Sequence, residues 1–430
     1  MSQIAKVHAR EILDSRGKPT VEAEVWLDSG IVGRASVPSG ASTGAAEACE
    51  LRDIDSEWYG GHGVQRAVRN VNTVIATALV NAPPMFQSQL DELLIELDGT
   101  SPKTKLGANA MLACSLAFAR AQAAWAGVPL YSWLSLELFS LAKAHGSPVG
   151  AKRPLPPKLP LPMTNMISGG KHAGGNLDIQ DVLVIPAGAP DYRTALEWIV
   201  RIYWQLGKLL RDAGHEGRLI GDEGGYGPRL KSNREAMQYV MAAIEAVKLR
   251  PGSDVTLALD VAASHFYKQG KYQLATENNI KLTSSQLVDR LERWIGEFPI
   301  ASIEDGLAES DWAGWRELSE RLASRVKLVG DDLFATNPAL LQRGINEKIA
   351  NAVLIKVNQI GTLTETLHTM LLARQHGYTC IVSARSGETE DDFLADLAVG
   401  TAADYIKIGG VARSERLAKY NRLLRIAEEL

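Results

Sequence analysis

The 430-residue sequence predicts an α/β protein in which a β/α barrel follows a smaller α+β capping domain. The C-terminal half contains short apolar runs separated by stretches long enough for one helix and its loops, which is the rhythm of such a barrel. Barrel strands are buried on both faces, and polar residues at their carboxyl ends point into the mouth. Six runs end in charged residues, at Asp260, Glu304, Asp331, Lys356, Arg385 and Lys407.

These charged ends could have a simpler role, because an acidic residue after a strand often caps the next helix. Lysine and arginine are poor N-cap residues, yet Lys356, Arg385 and Lys407 are among the six ends. Helix capping therefore does not explain the whole series. We expect three acids, one arginine and two lysines to converge on one basin.

The N-terminal third shows a different pattern. Residues 3–37 contain three strand-like runs separated by DSRGKP and DSG, which predicts a three-stranded meander. Apolar residues three and four apart predict helices over about 64–81 and 107–125. Prolines become dense near the end of 135–158 and disfavour a helix there. The predicted organisation is an α+β capping domain over 1–134, a Pro-rich linker or insertion over 135–158, and a β/α barrel catalytic domain over 159–430.

Composition excludes several functional classes. The formal charge of −4 and the pI near 6.1 provide no basic footprint for nucleic acid. An odd number of cysteines, without CxxC spacing, argues against both a disulfide framework and a zinc site. The start, MSQIAKVHAREI, lacks the apolar core of a signal peptide, and no apolar run is long enough to span a membrane. We therefore expect a soluble cytoplasmic protein with no nucleic-acid or membrane partner.

Two glycine-rich loops are candidates for ligand contacts. The run PSGASTG, which contains Ser42, can bring hydroxyl and backbone N–H groups close to an anion or a metal, although most such runs are only flexible turns. His172 lies between two glycine pairs, a poor setting for core packing, so we expect it to be exposed in a mobile loop. Glu223 lies in GDEGG after an apolar pair and resembles another barrel-mouth residue.

The charged strand ends suggest a reaction class. Asp260, Glu304 and Asp331 are hard oxygen ligands, which suit Mg²⁺. A lysine beside a divalent cation and a second lysine can have a lowered pKa and act as a base, which points to Lys356. Arg385 offers its forked guanidinium group, and Ser386 offers its hydroxyl, as hydrogen-bond donors to a phosphate or carboxylate. These residues predict Mg²⁺-assisted proton abstraction next to the carboxylate of a small anionic substrate.

Beyond these single residues, a series of motifs extends over almost the whole chain. They are DSRGKPTVE, VPSGASTG, ELDGT with KLGANA, GDEGG, ALDVAAS, SIEDG with ESDW, GDDL, KVNQIGTL, SGETED and ARSERLAKYN. In these motifs and in their order the chain resembles the enolase family. The resemblance implies an α+β cap on a barrel, two Mg²⁺ ions per subunit, and dehydration of 2-phosphoglycerate to phosphoenolpyruvate.

The resemblance also implies roles for individual residues. Lys356 matches the base that removes the α-proton, and Glu223 matches the acid that assists the departing hydroxyl. The remaining matches concern metal, substrate and further catalytic positions. Asp260, Glu304 and Asp331 resemble the ligands of the first metal, and Ser42 lies in the loop that closes over the second. Lys407 matches a lysine near the substrate carboxylate, and Arg385 and Ser386 match the residues that bind the phosphate. Gln180 is a further substrate-binding candidate, and His172 and Asp181 are further catalytic candidates.

The chain departs from the family pattern in four places, and the first two, at Ala384 and Asp181, fall on the leaving-group and phosphate side. Ala384 stands where the family has histidine before the arginine, and Asp181 stands where the family has glutamate. Ala46 replaces a histidine or arginine in the closing loop, and the 135–158 segment is longer than the usual connection. Because Ala384 is smaller than histidine, we expect extra space at the phosphate end. Proton abstraction should survive these changes, whereas the elimination half of the reaction is the part they affect.

Three functions remain open from the sequence. The first is an enolase, and the second is a specialised paralogue of phosphonate natural-product biosynthesis, similar to carboxyphosphonoenolpyruvate synthase. The third is a non-catalytic enolase-like binding protein, which would have little reason to keep the charged barrel mouth. The first two share Mg²⁺, Lys356 and a phosphorylated or phosphonylated substrate. The resemblance further suggests a homo-oligomer, either a dimer or an octamer.

Overall fold

The N-terminal part of the computed structural model, which describes residues 2–41, 43–149 and 152–430, begins with an antiparallel sheet. Strand β1 (Ile4–Leu13) pairs with β2 (Pro19–Leu27), and β2 pairs with β3 (Val32–Ser36). Residues of the sheet alternate between buried and partly exposed along β2, so one face packs on the core. The predicted three-stranded meander is confirmed.

Helices cover the buried face of this sheet. A Cβ on Gly33 would lie 2.0 Å from the carbonyl oxygen of Ala117, so only glycine lets β3 approach the helix that contains Ala117. Both predicted helical segments are confirmed, the first with a π-helical turn at its centre. The elements are α1 (Gln65–Asn70), the π turn (Val71–Ile75), α2 (Ala76–Val80), α3 (Gln87–Asp98), α4 (Ala108–Ala126) and α5 (Leu130–Ala144).

The predicted linker over 135–158 is wrong in its first part. Residues 135–144 belong to α5, which buries Leu134 and Leu138 against neighbouring helices. The prolines that suggested a linker begin only after this helix has ended, because apolar residues spaced three and four apart continue up to that point. The Ser135 hydroxyl then donates to the Leu155 carbonyl oxygen at 2.7 Å, which ties the returning chain to α5.

The C-terminal part is a closed eight-stranded barrel, which confirms the predicted fold class. Strand β5 runs antiparallel to both of its neighbours, whereas the other neighbouring pairs are parallel. The strands, in order around the barrel, are β4 (Leu161–Ser168), β5 (Asp181–Ile185), β6 (Thr256–Asp260), β10 (Ile300–Glu304), β11 (Lys327–Gly330), β12 (Ala352–Ile355), β13 (Thr379–Ser383) and β14 (Tyr405–Lys407).

Helices surround the barrel, and a small separate sheet follows β6. That sheet contains β7 (Tyr267–Lys268), β8 (Lys271–Leu274) and β9 (Ile280–Leu282). The helices are α6 (Tyr192–Asp212), α7 (Asn233–Ala246), α8 (Ser284–Glu297), α9 (Trp312–Leu322), α10 (Pro338–Glu347), α11 (Val357–Ile360), α12 (Leu363–Gln375), α13 (Phe393–Gly400) and α14 (Ser414–Glu429). Among the described residues, no helix is both long enough and apolar enough to cross a membrane.

The barrel presents its charged residues at one end, as the apolar runs predicted. Asp260, Glu304 and Lys407 are the last residues of β6, β10 and β14, while Asp331 and Lys356 directly follow β11 and β12. Small and medium apolar side chains fill the interior, so charged groups at the mouth lie above a packed floor. The reversal of β5 brings its first residue, rather than its last, to the same end.

Candidate active site

The barrel mouth brings together most of the predicted site residues. Asp260 lies between two acidic neighbours in the sheet, because its Cα pairs with Glu304 on one side and with Asp181 on the other. Ser383 on β13 pairs with Lys407 on β14. Apart from half-buried Lys356, the described site residues are buried. Charges in such a setting interact strongly, because little water remains to screen them.

Lys407 lies between two of the predicted metal ligands. Its Nζ is 2.7 Å from Asp260 Oδ2 and 2.8 Å from both oxygens of Glu304. Burial alone would lower the pKa of Lys407, but these two carboxylates hold it well above its ordinary value. Lys407 is therefore a fixed ammonium group that offsets part of the negative charge of Asp260 and Glu304 on this side of the mouth.

Lys356 forms an ion pair with Asp331 on the neighbouring strand. Burial would lower the pKa of Lys356, but the Asp331 carboxylate raises it above its ordinary value. The lowered pKa expected for Lys356 beside a divalent cation and a second lysine stays a prediction for the metal-bound site, since here Arg385 and Lys407 lower this pKa but Asp331 outweighs them.

The donor set at the mouth fits Mg²⁺. Asp260, Glu304 and Asp331 present carboxylate oxygens from three successive strands, and lysine ammonium groups are their counter-charges. Gln180 donates from Nε2 to Asp260 Oδ2 at 3.0 Å, while its buried Oε1 has no hydrogen-bond partner among the described residues. This orphaned oxygen is a further hard donor beside Asp260, so oxygen donors without sulfur surround the predicted position.

The tightest acidic group lies slightly to one side of the predicted three. In the described part of the chain, ligand atoms within 4.8 Å of one another occur in two groups, Asp305–Asp331–Asp332 and His172–Asp181–Glu223. Only Asp331 of the predicted three belongs to the first group. The Asp305 carboxylate accepts the N–H groups of Asp331 and Asp332 at 2.9 Å each, so it also braces the turn after β11.

His172 is buried, which corrects the expectation of an exposed residue in a mobile loop. The glycines around it form a short 3-10 helix, Gly170–Ala173, that turns the imidazole inward. Its Nδ1 is 3.0 Å from Asp181 Oδ2, and its Nε2 is 3.6 Å from Glu223 Oε1. Flanking glycines did not prevent burial, because two carboxylates provide polar partners for both ring nitrogens.

The side chains of His172, Asp181 and Glu223 do not hold protons to the same extent. Burial would lower the pKa of His172, but Glu223 and Asp181 raise it to about 9. Burial would raise the pKa of Glu223, but His172 and more distant cations lower it to about 2. In this arrangement the proton resides on His172 and Glu223 is ionised. The acid role of Glu223 stays a prediction, and the three residues together hold a proton next to the basin.

Replacing Asp181 with Asn should lower the pKa of His172 from about 9 towards its ordinary 6.5, because one of its two carboxylate partners loses its charge. A raised pKa stabilises the folded protein fully below about pH 6.5, and this contribution is lost as the pH rises through about 9. The variant should therefore lose less stability across that interval than the wild type.

An NMR titration of the imidazole and thermal unfolding at several pH values measure these two effects. Asp222→Asn is the matched control, because no ion pair joins its side chain to His172 in the described part of the structure. A pKa that stays near 9 in the Asp181 variant would mean that Glu223 alone sets it.

The proposed phosphate grip is already engaged by protein groups. Arg385 donates from Nη1 to Glu47 Oε2 at 2.9 Å and from Nη2 to Glu47 Oε1 at 3.1 Å, which is a bidentate ion pair. Nη1 also donates to Asn358 Oδ1 at 3.0 Å. The Ser386 hydroxyl accepts the backbone N–H of Ala41 at 2.7 Å. The fork and the hydroxyl predicted for an anion are therefore present, but they face the N-terminal domain.

The N-terminal domain reaches this side of the barrel through a close backbone approach. Ser39 and Gly387 exchange N–H···O hydrogen bonds of 2.7 and 2.9 Å. A Cβ on Gly387 would lie 2.2 Å from Asp14 Oδ2 and 2.4 Å from Arg16 Nη2, so only glycine fits. This contact fixes the chain just before Ser42, which itself lies outside the described residues.

Ala384 lines the cavity between the metal side and the grip. The space among the side chains there is about 30 Å³, enough for water but too small for a three-carbon phosphorylated acid. The extra room expected from the missing imidazole is therefore not open in this arrangement. Arg385 and the residues bonded to it occupy that side of the cavity instead.

Sequence reasoning missed several residues of the site. Glu47 and Asn358 contact Arg385, Arg16 donates to Ser386 Oγ at 3.3 Å, and Asp305 braces Asp331. Arg16 lies in DSRGKP and Asp305 in SIEDG, so the motifs contained a signal for these two. Asn358 lies in KVNQIGTL, which was a further signal, whereas only the packing of the N-terminal domain on the barrel reveals the contact of Glu47.

Comparison with known families agrees with this architecture. Residues 4–134 match the model described as the enolase N-terminal domain, and residues 157–430 match the model described as the enolase C-terminal TIM barrel domain. The resemblance inferred from the motifs is thereby confirmed. Because the two matches together span most of the sequence, the chain belongs to the enolase family and is an enzyme of the enolase superfamily.

Proposed function

We propose that this enzyme is an Mg²⁺-dependent lyase that forms an enolate from a 2-phosphoglycerate-like acid and releases an enol phosphate by loss of water. The observation that carries this proposal is the pairing of Lys356 with Asp331 at the edge of the acidic basin that also contains Asp260 and Glu304. A lysine in that position can face the α-carbon of an acid whose carboxylate lies over the basin.

The metal position in this proposal uses oxygens of Asp260, Glu304 and Asp331. When bound there, Mg²⁺ would neutralise these acids and stabilise negative charge on the substrate carboxylate. Lys356, no longer needed as the counter-ion of Asp331, takes the α-proton on its Nζ. Lys407 remains a fixed positive charge beside Asp260 and Glu304 and orients the substrate carboxylate.

The second half of the reaction removes the hydroxyl from the neighbouring carbon. The C–O bond breaks, and the departing hydroxide takes a proton to leave as water. The group of His172, Asp181 and Glu223 holds a proton on the opposite side of the basin, on the imidazole. Proton donation by such a positioned group typically contributes about 10²- to 10⁴-fold in rate.

A second candidate function is supported by two residues. Ala384 carries no proton-transfer group, and Asp181 is already engaged by His172 and by the Ser168 hydroxyl at 2.7 Å. A related enzyme that forms the same enolate but converts it in a different second step would keep Lys356 and the acidic residues around it. It would differ at the side of the site that contains Ala384 and Asp181. A phosphonylated substrate, in a paralogue similar to carboxyphosphonoenolpyruvate synthase, fits that description. A non-catalytic homologue has no observation in its favour.

Two measurements on 2-phosphoglycerate with Mg²⁺ separate these functions. Exchange of the α-proton with deuterated water reports on Lys356, and phosphoenolpyruvate release reports on elimination. Exchange with fast elimination supports an enolase, and exchange without elimination supports the altered paralogue. Absence of both, together with no Mg²⁺ binding in calorimetry, would refute an enolate-forming enzyme. The oligomeric state is a separate proposal, a homo-oligomer, and sedimentation tests it.

A further inference from the structure

A β-bulge in β4 directs two polar side chains towards the barrel mouth. The register of β4 against β5 shifts between Asn165 and Ile167, which leaves Met166 as an extra residue without a counterpart. Residues three apart on a regular strand point to opposite faces, whereas one extra residue between them brings Asn165 and Ser168 to the same face. Both side chains are completely buried. The bulge therefore explains why two polar groups of one strand lie at the same part of the barrel wall.

Each of these side chains binds one carboxylate of the group around His172. The Ser168 hydroxyl donates to Asp181 Oδ1 at 2.7 Å. Asn165 Nδ2 donates to Glu223 Oε2 at 3.1 Å. The other oxygens of the two carboxylates, Asp181 Oδ2 and Glu223 Oε1, face the two ring nitrogens of the imidazole. Each carboxylate thus lies between the imidazole and a neutral donor from β4.

The two donors are directed at these carboxylates alone. In the described part of the chain, Ser168 Oγ has no second hydrogen-bond partner, and the buried Asn165 Oδ1 has none at all. The GDEGG loop packs directly on Ser168, since a Cβ on Gly225 would lie 2.5 Å from Ser168 Oγ. Ser168 and Asp181 are both buried, so the hydrogen bond between them is shielded from water.

The second hydrogen bond of each carboxylate limits its rotation. A carboxylate that is bonded through one oxygen can still turn about its last side-chain torsion, which has a broad range. A bond at each oxygen leaves one orientation. Because Asp181 and Glu223 approach the imidazole of His172 from both ring nitrogens, fixing the two carboxylates also fixes the ring. Proton transfer from the ring depends strongly on this alignment.

We propose that Asn165 and Ser168 are positioning residues for the second half of the reaction, which fix the two carboxylates so that His172 presents its proton to the departing hydroxyl. This inference rests on the proposed function, because it takes the group around His172 as the proton source for elimination. Removal of the α-proton depends on Lys356, on the opposite side of the basin, and not on these two residues.

Replacing Ser168 with Ala tests the proposal. Elimination should slow by about ten- to a hundred-fold, the loss expected for one hydrogen bond to a charged group, while α-proton exchange and the KM for 2-phosphoglycerate stay unchanged. Exchange in deuterated water and release of phosphoenolpyruvate, both measured on the Mg²⁺-loaded enzyme, give the two rates. An equal loss of both rates would indicate a general disturbance of the site and would overturn the proposal.

Thr164→Val is the matched control for the loss of a hydroxyl. Thr164 lies on the same strand and is equally buried, but its hydroxyl bonds to the Tyr420 hydroxyl on α14 at 2.7 Å. Its removal should lower stability without changing the ratio of exchange to elimination. If this control changed the ratio as Ser168→Ala does, the effect would not depend on the contact with Asp181, and the proposal would be wrong.

Asn165→Ala is a second, independent variant. It removes the donor to Glu223 Oε2 on the other side of the imidazole, so elimination should again fall by about ten-fold or more with exchange retained. This variant also tests the proposal if Ser168→Ala does not fold. Unchanged elimination in Asn165→Ala would contradict the positioning role of Asn165.

An NMR measurement that needs no turnover separates this inference from the proposed function. A proton on His172 Nδ1 in a charge-assisted hydrogen bond to Asp181 gives a strongly downfield resonance, which should be present in the wild type and in Thr164→Val. In Ser168→Ala this resonance should be lost or broadened. Loss of the resonance, with neither exchange nor elimination in the wild type, would reject the reaction and retain the positioning of Asp181. Normal exchange, with elimination and the resonance unchanged in Ser168→Ala, would reject the positioning role alone.

Discussion

Replacing Lys356 with Ala should abolish exchange of the α-proton of 2-phosphoglycerate, with a loss of at least about 10²- to 10⁴-fold. Lys356 is the one lysine of the mouth paired with Asp331 alone, while Lys407 is held by two carboxylates and cannot easily give up its charge. Within the described part of the barrel mouth, no other amine is placed to replace it. The exchange rate, followed by NMR in deuterated water, measures this effect directly.

Lys281→Ala is the matched control for that substitution. Lys281 is exposed on β9, outside the barrel mouth, so its removal should leave exchange unchanged. Retention of exchange in the Lys356 variant would show that another group removes the proton. Since Asp331 would lose its counter-ion in that variant, Mg²⁺ affinity should remain equal or increase, which separates loss of the base from loss of the metal.

Replacing Glu304 with Gln should weaken Mg²⁺ binding by on the order of 100-fold and remove exchange with it, because one of three anionic ligands becomes neutral. Glu304 is almost fully buried and accepts Lys407 through both oxygens. The variant therefore also leaves Lys407 with Asp260 as its remaining partner. Calorimetric titration with Mg²⁺ in the absence of substrate measures the binding loss.

A parallel variant distinguishes the two acidic groups at the mouth. Asp305→Asn alters the group of Asp305, Asp331 and Asp332 without touching Asp260 or Glu304. If that variant lost Mg²⁺ binding while Glu304→Gln kept it, the metal would lie over the Asp305 group and the predicted ligand set would be wrong. The exposed Glu216→Gln, far from either group, serves as the control for a general change of charge.

The barrel and its charged rim could be predicted from the sequence because both depend on local patterns. A strand buried on two faces must be apolar throughout, so the length of an apolar run predicts the length of the strand. The first charged residue after the run predicts where the strand ends. Asp260, Glu304 and Lys407 end their strands as predicted. The meander and the two N-terminal helices follow from the same reasoning on periodicity.

His172 and Asp181 show where local reasoning fails. Glycine pairs around His172 indicated an exposed loop, but the reversed strand β5 places Asp181 beside it and provides a buried partner. The direction of one strand does not appear in its composition. The second half of helix α5 was predicted as a linker for a related reason. The prolines that follow its end suggested irregular chain, and its apolar face is buried only by elements distant in the sequence.

By itself, then, the sequence determined the fold class, the family and the identity of the acids and lysines at the barrel mouth, because each of these is encoded in short patterns of residue type. Only the tertiary structure decided which charges neutralise one another. Glu47 and Arg385 are 338 residues apart along the chain and pair at 2.9 Å. Ion pairing depends on distance in space and on the exclusion of water, and neither is a property of a local pattern.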